Sequence, residues 1–308
     1  MAKIVVSEFM DEQIARDVLA DFDLVYEPAL VDKREDLLVL LNDADAIVVR
    51  NRTQVDEELL ASAPKLKVVG RLGVGLDNID LEACEERGVA VCPATGANDV
   101  AVAEYVISAA LMLVRGVWQA SDPMVSGDWP RTQLMGHEVS GKRLGLIGLG
   151  SIARQVAARA SALGMDISAF DPYLAGEDPA WSDVDNATLA ELAADCDVIS
   201  IHVPLTQETR HLVGVEFIRK MRPGAILINS ARGGVVDDKA LIQALLDGQL
   251  GGAALDVFES EPLDAEHGAA FAGVPNLLLT PHIAGITEEA NQRVSLVTAR
   301  NVLEYLRQ

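Results

Sequence analysis

Between the apolar run Leu144-Gly-Leu-Ile147 and a helical pattern through Arg154, Val156 and Ala160, the chain places Gly148-Leu-Gly150-Ser151-Ile-Ala153. No other feature constrains the fold as much. The run reads as a buried strand, the glycines as a tight turn, and Ser151 as the opening of a helix. Backbone N–H groups and the positive end of the helix dipole then converge where a pyrophosphate is favoured. Ala153 stands where the dinucleotide-binding fingerprint has its third glycine, a packing position that tolerates alanine. A second apolar strand, 166–170, delivers Asp171 twenty-three residues after Gly148. That is the place of the carboxylate that accepts hydrogen bonds from the adenosine ribose. The pattern predicts NAD as cofactor, with Gly148, Gly150, Ser151, Ile152 and Asp171 in its site. Asp171 repels the extra phosphate of NADP, and Pro172-Tyr173 offers no arginine in compensation.

A chain of 308 residues, half of them hydrophobic and only 4% aromatic, suits two α/β domains rich in Ala, Val and Leu. Its longest apolar stretch, around Tyr105 to Val114, is too short to span a bilayer. The start, Met-Ala-Lys-Ile-Val-Val, enters a strand without signal-peptide design. Cys84, Cys92 and Cys196 lack metal-ligand spacing and read as thiols of a reducing compartment, so we expect a cytoplasmic protein without a metal. A net charge of −22 argues against nucleic acid or an anionic membrane as partner.

Strand-like runs at 4–7, 23–26, 46–50, 68–72 and 89–92 alternate with helical patterns near 12–19, 33–41, 57–63 and 81–87. Such alternation implies a parallel sheet covered on both faces. A long apolar helix from about Val100 to Val117 and a polar loop with Trp129 and Arg131 follow. Further strands are expected at 198–203, 225–230, 253–257 and 277–279. The helical segment 288–306 has no strand partner nearby and is expected to return to the first domain. The expected architecture is α/β with two doubly wound parallel-sheet domains. A Rossmann NAD domain, 100–285, is inserted in a discontinuous flavodoxin-like substrate domain, 1–99 and 286–308.

Three strands of the second domain end in chemistry-bearing residues: Arg232 in Asn229-Ser-Ala-Arg-Gly-Gly234, the acids Asp256, Glu259 and Glu261 in 255–262, and His282 in Thr280-Pro-His-Ile283. Ligands of open α/β sheets bind at the carboxyl ends of strands. A guanidinium there can bind a carboxylate bidentately. A histidine backed by a carboxylate can exchange a proton with an alcohol. From these residues alone, Glu259 and Glu261 compete for the place behind the histidine.

These segments resemble the signatures of the D-isomer-specific 2-hydroxyacid dehydrogenases. Gly70-Arg-Leu-Gly-Val-Gly-Leu-Asp-Asn-Ile-Asp80 is similar to that family's substrate loop, Val102-Ala-Glu-Tyr105 to the start of its dimer-forming helix, and Ile201-His-Val-Pro-Leu-Thr206 to its loop over the cofactor. The resemblance implies a hydride transfer between NAD and C2 of a 2-hydroxy acid, with domain closure over the substrate. Arg232 would bind the substrate carboxylate, His282 act as acid/base, and Glu261, directly before Pro262, orient the histidine. It also implies that Pro204, Thr209, Ala231 and Asp256 contact the cofactor, Asp256 through the nicotinamide amide. The amides of Val74 and Gly75 would hold the substrate carboxylate, and two copies would form a homodimer. Arg50, Arg52 and Arg71 follow strands of the first domain, and three arginines in so acidic a chain suggest a second anionic group on the substrate. We therefore expect a 3-phosphoglycerate or 3-sulfolactate type of acid, (S)-configured if a sulfonate changes naming priority. Unlike many phosphoglycerate dehydrogenases, the sequence ends soon after the return helix, so feedback through an added regulatory domain is not expected. The rivals are a glyoxylate/hydroxypyruvate reductase or generalist 2-hydroxyacid dehydrogenase and, outside enzymes, an NAD-sensing corepressor-like interaction protein. Formate dehydrogenase, which resembles the family overall, is disfavoured by Glu261.

Overall fold

The computed structural model describes residues 1–308, which divide into two compact units, Met1–Asn98 with Ile286–Gln308, and Asp99–Gly285. In the first unit the strands are β1 (Lys3–Val6), β2 (Asp23–Tyr26), β3 (Ala46–Val49), β4 (Val68–Arg71) and β5 (Ala90–Pro93). Its first helices are α1 (Glu12–Val18), α2 (Arg34–Leu41), α3 (Glu57–Ser62) and α4 (Leu81–Glu86). In the second unit the strands are β6 (Arg143–Ile147), β7 (Asp166–Phe170), β8 (Asp185–Asn186), β9 (Val198–Ile201), β10 (Ala225–Asn229), β11 (Leu250–Leu255) and β12 (Leu277–Leu279). Its helices are α5 (Asp99–Arg115), α6 (Ser121–Val125), α7 (Ser151–Ala162), α8 (Leu189–Asp195), α9 (Val215–Lys220), α10 (Asp238–Leu246) and α11 (Ala265–Gly268). Helix α12 (Glu288–Leu306) belongs to the first unit.

Every strand pairing is parallel. The five-stranded sheet has the order β2-β1-β3-β4-β5, the flavodoxin-like arrangement. The seven-stranded sheet runs β12-β11-β10-β9-β6-β7-β8, the doubly wound dinucleotide-binding arrangement. The expected fold class is thus observed. Sheets covered on both faces need strands that are apolar on both faces, and β3, β9 and β10 are buried along their whole length. Pleating then sorts the side chains. Ile4, Val6, Ala46, Val48 and Val68 pack on one side of the first sheet, and Val5, Ile47, Val49 and Val69 on the other.

The return helix α12 packs on α1, β4 and β5, all of its own unit. Its approach explains Gly70 in the middle of β4: a Cβ there would lie 2.6 Å from Val302 Cγ2 and 3.0 Å from Thr298 Cγ2. Most strand boundaries shift by a residue or two, and three further differences from expectation stand out. Helix α5 stops at Arg115 rather than Val117 because Gly116 takes φ 63°, a helix-ending conformation. The segment after it, expected as a loop, contains the short helix α6. Strand β11 begins at Leu250, three residues early, because Gly251 and Gly252 carry no strand signal. A Cβ on Gly251 would come within 2.4 Å of Gly224 O, so the neighbouring backbone demands glycine there.

Candidate active site

The glycine turn after β6 sits at the point of the second sheet where strand order reverses, between β6 and β9. Gly148 has φ 92°, and a Cβ on it would lie 2.7 Å from His202 O at the end of β9, so only glycine fits. Gly150 caps α7 without any side-chain hydrogen bond to the helix, and space is open where its Cβ would be. Ser151 and Ile152 form the first turn of α7, so their amides belong to the free end of a twelve-residue helix. Asp171 is tied to this turn: Leu149 N donates to its Oδ2 at 2.9 Å, and Tyr173 N to its Oδ1 at 3.0 Å. A carboxylate has about four acceptor sites, so two remain for a ribose diol. An open, donor-lined turn with a fixed carboxylate suits NAD. On the facing loop, Thr209 Oγ1 donates to Pro204 O at 2.7 Å and accepts from Thr206 N at 2.7 Å, closing a compact turn.

Arg232, Glu261 and His282 come from loops after β10, β11 and β12, and the fold brings them together. Asn229, the last residue of β10, shapes the first loop. Its Nδ2 donates to Arg232 O at 2.9 Å, and its Oδ1 accepts from Ala231 N at 3.1 Å. Ala231 O in turn accepts from Arg232 Nη1 at 2.5 Å. Gly233 lies so close to the next loop that a Cβ would be 1.8 Å from Phe258 O. Across that contact, Phe258 N donates to Glu261 Oε1 at 3.0 Å, and Glu261 Oε2 meets His282 Nδ1 at 2.7 Å.

The two candidate acids are thereby separated. Glu261 pairs with His282, and Glu259 pairs with His211 at 2.8 Å. Burial raises the Glu261 carboxyl, but the hydrogen bonds from His282 and Phe258 N, with the charges of His282 and Arg232, hold it below its ordinary value. It is an anion beside the imidazole. With Nδ1 occupied, Nε2 is the nitrogen left for a ligand.

His282 sits at φ 56°, an uncommon conformation for a non-glycine residue, and Asp256 holds it there. Asp256 is fully buried. Its Oδ1 accepts from Thr280 Oγ1 at 2.6 Å and Ile283 N at 2.8 Å, and its Oδ2 from Ala284 N at 2.8 Å. Tyr105 OH bonds Thr280 Oγ1 at 2.7 Å, extending the support to α5. Asp256 therefore has an internal task, fixing the histidine turn, which sequence reasoning did not foresee.

In the first unit, the reversal point lies between β1 and β3. There the buried Glu8 accepts the amides of Arg50 at 2.8 Å, Thr53 at 2.9 Å and Arg52 at 3.2 Å, organising the turn after β3. Sequence reading missed Glu8, whose only signal is a carboxylate two residues past the end of β1. The arginines differ. Arg50 is half-buried, and its guanidinium donates to Asn291 Oδ1 at 2.8 Å and Phe9 O at 3.4 Å, both neutral acceptors. Burial lowers it from its ordinary value, with Glu8 opposing. Arg52 is exposed and paired with Asp32. Arg71 folds back to donate to Leu72 O at 2.7 Å, over Gly73, whose Cβ would meet its Nη1. Val74 is exposed and Gly75 partly so, and neither amide is taken by a backbone acceptor.

Comparisons with known proteins agree with this geometry. Residues 107–284 match the family model described as D-isomer specific 2-hydroxyacid dehydrogenase, NAD binding domain. The chain is 50% identical to an (S)-sulfolactate dehydrogenase of Chromohalobacter salexigens, over 98% of this chain and 97% of that one. It is 41% identical to a D-3-phosphoglycerate dehydrogenase of Methanocaldococcus jannaschii, covering all of this chain but only 58% of that protein. Among solved structures, it superposes with a TM-score of 0.87 on the D-lactate dehydrogenase of Aquifex aeolicus complexed with NAD and lactic acid, at 29% identity over 99% of this chain and 95% of that one. With strand orders, glycine turn and family match in accord, the chain belongs to the NAD-dependent D-isomer-specific 2-hydroxyacid dehydrogenases.

Proposed function

We propose that this enzyme oxidises a 2-hydroxy acid carrying a second strong anion, with a sulfonate such as 3-sulfolactate favoured. The single observation that carries the reading is Arg50. It is a half-buried cation at a strand end whose hydrogen-bond acceptors are both neutral, in a chain of net charge −22. A guanidinium so placed gains from a ligand anion. The 50% identity to an (S)-sulfolactate dehydrogenase, over nearly the full length of both chains, favours the sulfonate over the phosphate. Arg71 is the second candidate for that anion. The pairing of Arg52 with Asp32 gives it the weaker claim.

In this reading Arg232 binds the C1 carboxylate, which fixes the reacting carbon. His282 Nε2 takes the hydroxyl proton as the C2–H bond breaks, and Glu261 holds Nδ1–H and stabilises the imidazolium. NAD, when bound, supplies the oxidant that takes up the C2 hydrogen with its electron pair. Gly148, Gly150, Ser151 and Ile152 would hold its pyrophosphate and Asp171 its ribose. Pro204, Thr209 and Ala231 would line the nicotinamide side, whereas Asp256, fully buried and committed to three internal donors, acts from behind by fixing the histidine turn.

Replacing Arg50 by Gln tests the substrate reading. KM for 3-sulfolactate should rise ~10-fold or more while use of lactate is unchanged, since about 1.4 kcal/mol of charged hydrogen bonding is tenfold. An equal effect on both acids would refute a second-anion role. The surface of α5 is the proposed contact of a homodimer, which sizing at micromolar concentration tests. Cytoplasmic residence is proposed too. No single helix is long and apolar enough to cross a membrane.

A further inference from the structure

One histidine–carboxylate pair of the second unit lies outside the trio yet touches both loops that present it. His211 follows the Pro204–Thr209 turn and has φ 51°, an unusual conformation for a non-glycine residue. Its backbone N donates to Gly234 O at 2.8 Å, two residues past Arg232. Its ring Nε2 meets Glu259 Oε1 at 2.8 Å, two residues before Glu261. The next residues continue the tie: Val213 N donates to Val235 O at 3.1 Å, and Asp237 N to Val213 O at 3.1 Å. Around the pair stand Asp237 and Asp238 at the start of α10. The Asp238 carboxyl is pushed up to about 6 by burial and by the charges of Glu259 and Asp237, with His211 opposing. Glu259 thus has an acidic neighbour in Asp238 as well as its partner His211.

We propose that the His211–Glu259 pair is a positioning device, which sets the Arg232 loop and the Glu261 loop at the spacing their shared chemistry requires. The inference rests on the roles given above to Arg232, Glu261 and His282. The geometry admits little slack: Gly233 already lies against Phe258 O, so the two loops touch on one side and are tied by His211 on the other. Without the tie His211 no longer holds Glu259, and the 258–261 segment is free to move away from the repulsion of Asp238. Glu261 would move with it, and the imidazole it orients would lose register. His211 itself follows the turn at Pro204 and Thr209, so the pair links the proposed nicotinamide side of the site to the acid/base pair.

The test uses His211→Asn, since asparagine tolerates the left-handed backbone but is too short to reach Glu259. It is joined by Glu259→Ala, Glu259→Gln and the double variant His211→Asn/Glu259→Ala. Turnover should fall ~10-fold in His211→Asn and in Glu259→Ala, with the NAD dissociation constant within about twofold and the melting temperature nearly constant. Glu259→Gln, which keeps an oxygen acceptor for the imidazole, should restore most of the turnover. The double variant should be no worse than either single one, as for residues acting through one contact. Turnover within twofold of the parent in His211→Asn, equal losses in the Gln and Ala variants, or multiplicative losses in the double variant would each overturn the proposal. A parallel His282→Ala variant separates the two readings. If it is inactive while His211→Asn is normal, only the positioning role fails. If it keeps normal turnover, the assignment of the trio itself fails.

Discussion

Replacing Gly233 by Ala adds one methyl group, and the structure says where it goes. The added carbon would lie 1.8 Å from Phe258 O and 2.1 Å from its carbonyl carbon. Real Cβ contacts essentially never fall below 3.0 Å, so the two loops must part by at least 1.2 Å. Both partners are backbone, so no side chain can rotate away. Gly233 does not have a positive φ, so alanine adopts the same conformation and the effect is steric. One loop carries Arg232 and the other, three residues after Phe258, carries Glu261. Misplacing reacting groups by about 1 Å costs on the order of 100-fold in rate. The overpacking itself should cost about 1–3 kcal/mol of stability. The assay is NADH formation at 340 nm, with NAD affinity from fluorescence titration and a thermal melt. Gly176→Ala, whose Cβ meets open space, is the control. We expect kcat/KM to fall ~100-fold in Gly233→Ala, NAD affinity to stay within about threefold, and Gly176→Ala to behave as the parent. A Gly233→Ala enzyme with kcat/KM within about threefold of the parent would refute the claim that loop spacing sets the rate.

Asp171→Ala should narrow the preference for NAD over NADP by ~10-fold or more, because a ribose-side carboxylate is lost. Unchanged discrimination in paired kcat/KM measurements would contradict its role. Asp238→Asn should stabilise the protein at neutral pH by about 1 kcal/mol, after discounting for solvent screening. Burial and like charges push its carboxyl up to about 6 in the fold from 3.8, so the unfolded chain ionises first, and the cost to folding grows from about pH 4 and is complete above about pH 6. The gain should vanish in urea melts below about pH 4, where the acid is protonated folded and unfolded. His202, whose ring bonds Ser200 Oγ at 2.9 Å, is lowered by burial from 6.5 to about 4. The unfolded chain therefore gains protons first as pH falls from 6.5 towards 4. This group alone should cost about 2 kcal/mol of stability by pH 5. His202→Gln should flatten that part of the urea midpoint against pH, and an unaltered slope would remove His202 as its cause.

The fold was legible because its strands are short apolar runs cut by glycine turns, and parallel α/β sheets leave just that pattern. Strand β7 and helix α12 were found to the residue. Elements without a hydrophobic signature escaped, notably the two-residue β8 and the glycine-rich start of β11. In the site, motif residues at strand ends were readable, because topology alone carries Arg232, Glu261 and His282 to one side of a sheet. What could not be read is the work of residues acting at a distance in sequence. Glu8 holds amides more than forty residues away, and Asp256 holds a turn twenty-six to twenty-eight residues later. His211 lies forty-eight residues from Glu259. Such pairs follow from loop conformation, which local patterns do not encode. The same limit applied to the arginines: the sequence offered Arg50 and Arg52 alike, and only Asp32 and Asn291 in space tell them apart.

The most direct test of the account is a comparison of kcat/KM, by NADH formation, for (S)-3-sulfolactate, 3-phosphoglycerate, glycerate, lactate and malate, with both enantiomers of each where they exist. NAD-linked oxidation of one enantiomer only is expected, with the sulfonated acid ahead of lactate and glycerate by ~100-fold or more, the worth of about two well-made charged hydrogen bonds. Equal or better use of lactate or glycerate would contradict it, returning Arg50 to a structural role and leaving a generalist dehydrogenase.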